Sequence, residues 1–121
     1  MLVGARGEEL AAGYVTGLGW RVLDRNWRAG RLGELDLVAL EPGAGHAGVV
    51  VFCEVKTRTG LGFGRPLEAV TRAKLVRLRR LALAWLGAHQ VRAAACRVDA
   101  IGVLLRPGLE PSFDHVRGAE L

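Results

Sequence analysis

The run VVVFCEVKT at residues 49–57 constrains this chain more than any other segment. Its apolar opening, rich in β-branched valine, predicts a strand, and a strand this apolar belongs in the centre of a sheet. The same strand ends on charge. Successive side chains alternate, so Val50, Phe52, Glu54 and Lys56 share one face. Glu54 therefore extends an apolar row, with Lys56 on its side.

The remaining periodicities place other elements around this strand. Leu10, Ala11, Tyr14, Val15 and Leu18 recur at helical spacing within 7–18, and Gly19 marks the stop. Residues 20–27 (WRVLDRNW) and 34–41 (ELDLVALE) predict two strands separated by a polar turn at 28–33, while 42–48 (PGAGHAG) has the composition of a loop. A glycine-rich connection at 58–66 leads to a second helix with Thr71 as its N-cap, extending to Ala88. Leu75, Leu78, Ala82, Trp85 and Leu86 form its predicted buried stripe, with Arg72, Arg77, Arg79 and Arg80 on other faces. A fourth strand is predicted at 97–105 and a short edge strand near 113–116. The order helix, three strands, helix, strand defines an α/β fold with a mixed sheet, expected as a single domain over 1–121.

Composition narrows the function classes. A chain of 121 residues that is 50% hydrophobic can build a packed core, which argues against disorder. No signal-peptide hydrophobic region and no apolar stretch of the ~20 residues a membrane span needs is present, so a cytoplasmic location without a membrane partner is expected. Cys53 and Cys96 lack metal-ligand spacing and are expected to be two buried, reduced thiols. His46, His89 and His115 are expected at the surface, and no Ser-His-Asp or Cys-His arrangement stands out. Seventeen Lys and Arg against twelve Asp and Glu give a formal charge of +5. That excess favours a polyanionic partner, because cations that neutralise phosphates release condensed counterions.

Several carboxylates sit where a purely structural element would not choose them. Alternation puts Glu34, Asp36, Val38 and Leu40 on one face, so Asp36 borders buried positions. Glu8 lies one turn from Ala11 and Ala12 and points inward, whereas Glu9 points outward. If the second and third strands form a hairpin about Gly45, residues whose numbers sum to 90 face each other, and Asp36 and Glu54 are such a pair. Opposed side chains lie ~5 Å apart, where like charges repel. A divalent cation removes the conflict, since two carboxylates can ligate one Mg²⁺ at ~2.1 Å. Each residue taken singly also fits a solvated strand end or an ion-pair partner, with Lys56 neutralising Glu54. The combination of Glu8 with D-x17-E-x-K points to a site.

With these residues the chain resembles the PD-(D/E)-x-K nuclease superfamily, and within it the bacterial YraN-like family of endonuclease-like proteins. The matching stretches are GARGEELAAGYVTGLGW at 4–20, NWRAGRLGELDLVA at 26–39, VFCEVKTR at 51–58, FGRPLEAVTRAKLVRLRRLA at 63–82 and RVDAIGV at 97–103. Leu35 stands where the superfamily motif has proline. Archaeal Holliday-junction resolvases are similar at a greater distance. The resemblance implies a restriction-endonuclease-like core and a metal-dependent phosphodiester hydrolase, branched DNA being one substrate class. Asp36 and Glu54 become ligands of Mg²⁺ or Mn²⁺, with the Val55 carbonyl and Glu8 as further ligands. Lys56 becomes the residue that positions or polarises the attacking water.

The same resemblance places nucleic acid as the partner, DNA ahead of RNA. Around the site Arg58, Arg65, Lys74 and Arg77 could follow a phosphate backbone. Arg58 and Lys74 stand ahead of the others because they fall in stretches that match the family, while a solvated face fits the helix arginines equally well. The resemblance also suggests a homodimer, the working state of the resolvases. The alternative reading is a nucleic-acid-binding module without catalytic activity. Metal binding through Asp36 and Glu54 separates the two.

Overall fold

A computed structural model describes residues 3–60 and 71–118. Its elements are α1 (Val3–Gly17), β1 (Arg21–Arg28), a 3₁₀ turn (Gly30–Leu32), β2 (Glu34–Gly43), β3 (His46–Arg58), α2 (Arg72–Ala88), β4 (Ala95–Leu104) and β5 (Ser112–Val116). The strands form one sheet in the order β1-β2-β3-β4-β5, with β3 in the centre. Neighbours are antiparallel except β3 and β4, which run parallel. Parallel neighbours require a crossover, and α2 lies between them in the chain. The fold is therefore mixed α/β, with two helices and five strands among the described residues.

The alternation of β3 divides the core in two. Val51, Cys53 and Val55 pack toward α1 with Ala11, Val15, Leu37, Ala39, Ile101 and Val103. Val50 and Phe52 pack toward α2 with Val38, Leu75, Leu78, Leu81, Trp85 and Ala100. Glu54 and Lys56 continue the second row past its apolar part. No helix among the described residues is long and apolar enough to cross a membrane.

Some expectations need correction. The helix α1 starts a turn before its apolar periodicity because that first turn, Val3 to Arg6, is exposed and carries no stripe. Leu18 lies beyond the helix and is 41% exposed, not buried. The stretch at 42–48 is not a loop: β2 and β3 run through it to a turn at Ala44 and Gly45, where Gly45 takes φ 76°. A glycine with positive φ permits so tight a reversal. On α2, Leu81 occupies the buried stripe and Leu86 only borders it. Position 81 falls between Leu78 and Trp85 on the helix face, whereas 86 is rotated past its edge. Cys53 is buried but Cys96 is exposed, since β4 begins at the uncovered end of the sheet.

His115 is also not a surface residue. Its side chain is nearly sealed, with Nε2 2.8 Å from Asp99 Oδ2 and Nδ1 3.0 Å from the Tyr14 hydroxyl. Asp99 is fully buried and accepts further hydrogen bonds from Arg97 Nε at 2.7 Å, Arg97 Nη2 at 3.0 Å and the Gly118 N–H at 3.0 Å. Arg97 reaches on to Glu41 at 2.9 Å and lies over the Trp20 ring. This network ties α1, β2, β4 and β5 together, with Asp99 paired in register to Cys53 of β3. Burial alone would raise the Asp99 pKa, but the bonds from Arg97, His115 and Gly118 outweigh it and hold it low.

Asp99→Ala should therefore cost about 3–5 kcal/mol, because it leaves buried donors without their acceptor. Denaturant titration checks this. A lowered folded pKa makes the Asp99 contribution complete above the ordinary value of 3.8 and lost as pH falls below it. The wild-type advantage over Asp99→Ala should shrink accordingly in acid.

Candidate functional site

Alternation in β2 breaks at Asp36. Leu35 packs toward α2 and Leu37 toward α1, so the residue between them sits where the strand turns over. The expected shared face of Glu34, Asp36, Val38 and Leu40 is thus corrected. The cause is the end of the β2–β3 ladder, whose pairs run from Glu41↔Val49 to Leu37↔Cys53 and keep the sum of 90. Asp36 lies just past the last of these pairs. Its Oδ2 accepts the Val55 N–H at 2.9 Å, and its carboxyl also hydrogen-bonds the Glu54 side chain.

Helix α1 brings Glu8 to the same place. Gly7 is buried against β3, and a Cβ there would overlap the Thr57 side chain. A glycine is therefore what allows α1 to lie close enough for Glu8 to hydrogen-bond Asp36. Glu8 is half-buried and Glu9 exposed. Glu34, at the start of β2, completes the cluster: Glu8, Glu34 and Asp36 each offer an oxygen within 4.8 Å of the others. Glu34 was not selected from sequence, although alternation put it on the face of Asp36. Its carboxylate also pairs with Arg28 at 3.3 Å.

On the other side of Asp36, Glu54 is 7% exposed and bonds Lys56 Nζ at 3.2 Å. Lys56 in turn contacts the side chain of Lys74 in the first turn of α2, beside Arg77. Arg77 itself is exposed and passes Gly33 at the head of β2. Arg58 is half-buried two residues past Lys56, with Nη1 donating to the Thr57 carbonyl at 3.3 Å. Val55 is joined to the site through its N–H. Arg65 lies outside the described residues.

The electrostatics follow from this crowding. Burial, then the Glu54 charge, pushes the Asp36 pKa up to about 8, against the pull of the Val55 N–H. Burial and then Glu34 raise Glu8, while its bond to Asp36 and the Arg25 charge oppose the rise. The cluster offers only oxygen donors, the chemistry preferred by hard divalent cations such as Mg²⁺ and Mn²⁺. Among the described residues, Glu8, Glu34 and Asp36 are the group close enough together that could hold such an ion.

Fold and site together define a mixed α/β protein whose central strand ends beside a half-buried acidic cluster flanked by cations. Residues 7–103 match the family described as "Uncharacterised protein family UPF0102". A UPF0102 protein of Clavibacter michiganensis is 52% identical, covering 97% of this chain and 94% of the relative. One from an Arthrobacter species is 49% identical with the same coverage, and one from Mycobacterium tuberculosis is 49% identical over 96% of this chain and 90% of the relative. The chain belongs to the UPF0102 family, which bears out the YraN-like resemblance at the level of family.

Asp36 keeps a proton in the folded, metal-free protein that the unfolded chain releases near pH 4. Stability should therefore fall as pH rises from about 4 through about 8. Asp36→Asn keeps an acceptor for Val55 and removes the conflict. At pH 8 without metal it should be more stable than wild type by about 1 kcal/mol, the scale of a like-charge cross-strand pair relieved. Thermal melts of both proteins across that pH range check the sign.

Proposed function

We propose that this protein is a Mg²⁺- or Mn²⁺-dependent nuclease with a restriction-endonuclease-like core, cutting phosphodiester bonds in nucleic acid, DNA ahead of RNA. One observation carries the reading: Asp36 is held by the Val55 N–H at 2.9 Å, beside the buried Glu54, while Lys56 pairs with Glu54 at 3.2 Å. Carboxylates forced together favour a cation, and an ammonium beside them suits the negative charge that develops during phosphoryl transfer.

In this reading Asp36, Glu54 and Glu8 hold the ion, joined by Glu34 and the Val55 carbonyl. When bound, the ion supplies charge neutralisation and water activation for hydrolysis. Lys56, fixed by Glu54, orients toward the reacting phosphate and stabilises its charge. The Val55 N–H holds Asp36 in place. Arg58, Arg65, Lys74 and Arg77 bind the phosphate backbone. Likeness to the resolvases adds a cytoplasmic homodimer acting on branched DNA to the proposal.

A cleavage screen over branched, flapped and linear substrates with Mg²⁺ or Mn²⁺ tests it, with Asp36→Asn as the inactive control. Lys56→Ala should lower cleavage by about 10²-fold or more, the usual loss for a group that stabilises developing charge, and change affinity little. Arg58→Ala should weaken binding to all sequences and reduce the log–log salt slope by about one unit. Metal and DNA binding without cleavage of any substrate would favour the non-catalytic binding module instead. Cleavage by Lys56→Ala at the wild-type rate would defeat the assigned role of that lysine.

A further inference from the structure

Strand β4 is covered along only part of its outer edge. Strand β5 pairs with residues 100–104, and no strand among the described residues pairs with 95–99 on that side. On the inner side the same stretch is matched to residues 49–53 of β3. Ala95 and Cys96 are exposed, and Arg97 and Val98 are half-buried. An uncovered edge presents backbone N–H and C=O groups that a further strand can bond.

A groove of about 370 Å³ lies between this stretch of β4 and α2. Its wall includes Phe52, Val98, Leu83 and Leu86, and Cys96 opens onto it. Leu83, at 71%, is the most exposed large apolar side chain among the described residues. No carboxylate among the described residues lines the groove, whereas two arginines do. Arg97 is taken up by Asp99 and Glu41, but Arg79 has no ion pair or hydrogen bond among the described residues.

Edge and groove together select an occupant. An extended polypeptide supplies the backbone partners that the edge lacks, and its alternate side chains reach the groove. The unpaired guanidinium of Arg79 suits a carboxylate on that segment. A second copy of this chain is disfavoured, because a symmetric contact sets Arg79 against itself between molecules of formal charge +5. Nucleic acid has no backbone that extends a sheet.

We propose that a partner protein docks here by adding an acidic, extended segment to β4, with an apolar side chain beside Leu83 and Leu86 and a carboxylate on Arg79. The surface shares no residue with the acidic cluster or with the cations assigned to phosphate, so it stands or falls apart from the nuclease reading.

The test is a selection of random linear peptides displayed on phage, run on the full chain. Enriched sequences should alternate apolar residues with Asp or Glu. As synthetic peptides they should slow alkylation of Cys96, since Cys53 is buried and does not compete for the reagent. Arg79→Glu should weaken their binding by about tenfold or more, the scale of one charge-assisted hydrogen bond, and Arg79→Lys should restore most of it. Methylating alternate backbone nitrogens of the peptide should abolish binding, because an added strand then loses its hydrogen bonds. Absence of enrichment, or enriched peptides without acidic residues, overturns the proposal. So do peptides that bind Arg79→Glu as tightly as wild type, tolerate backbone methylation or leave Cys96 alkylation unchanged. Protection of Cys96 by a DNA duplex, or by raised protein concentration alone, also overturns it and assigns the groove to nucleic acid or to a second copy.

Discussion

Asp36 and Glu54 are neighbours that repel each other when both are ionised, and the chain nonetheless holds them together. The Val55 N–H fixes Asp36, the buried row ending in Phe52 fixes Glu54, and the close approach of α1 over Gly7 adds Glu8. Of these contacts only the Val55 N–H favours the ionised form of Asp36, and burial together with the Glu54 charge outweighs it. The neighbouring strand β4 is organised differently. There the buried Asp99 has two bonds from Arg97, one from His115 and one from Gly118, a satisfied network that holds β5 against the core. A fold that neutralises one buried carboxylate so fully and leaves another sharing a proton at about pH 8 has put its strain at one place.

That place is also the junction of the layers. Strand β3 carries the Glu54–Lys56 pair out of the α2-facing core, β2 turns over at Asp36, and both helices contribute a residue, Glu8 from α1 and Lys74 from α2. The side chains fall into an acidic half toward α1 and a cationic half toward α2, joined by the 3.2 Å pair between Glu54 and Lys56. A divalent ion bound to a phosphodiester has the complementary polarity, which is why hydrolysis of nucleic acid is the function proposed.

Much of this was legible in sequence because period-2 alternation is insensitive to surroundings. Glu54 and Lys56 could be placed on one face from β3 alone, and the register of the hairpin followed from a turn centred near Gly45. Asp36 is where alternation failed: its flanking leucines pack on opposite layers, a strand reversal that no local pattern marks. Glu34 opens the same row as Asp36, but its closeness to Glu8 depends on how α1 docks, which spacing along the chain does not reveal. The contact between Lys56 and Lys74 depends on how α2 docks after the crossover, so spacing along the chain does not reveal it. His115 looked like a surface residue near a chain end, and only the packing of β5 shows why it is sealed against Asp99 and Tyr14.

Calorimetric titration of Mn²⁺ into the metal-free protein near pH 7, in two buffers of different ionisation enthalpy, tests the central claim most directly. Asp36 is largely protonated there, so an ion that binds its carboxylate must displace the proton. The account predicts saturable Mn²⁺ binding with proton release, and loss of both in Asp36→Asn. Equal Mn²⁺ affinity in wild type and Asp36→Asn, with no proton released in either, would contradict it.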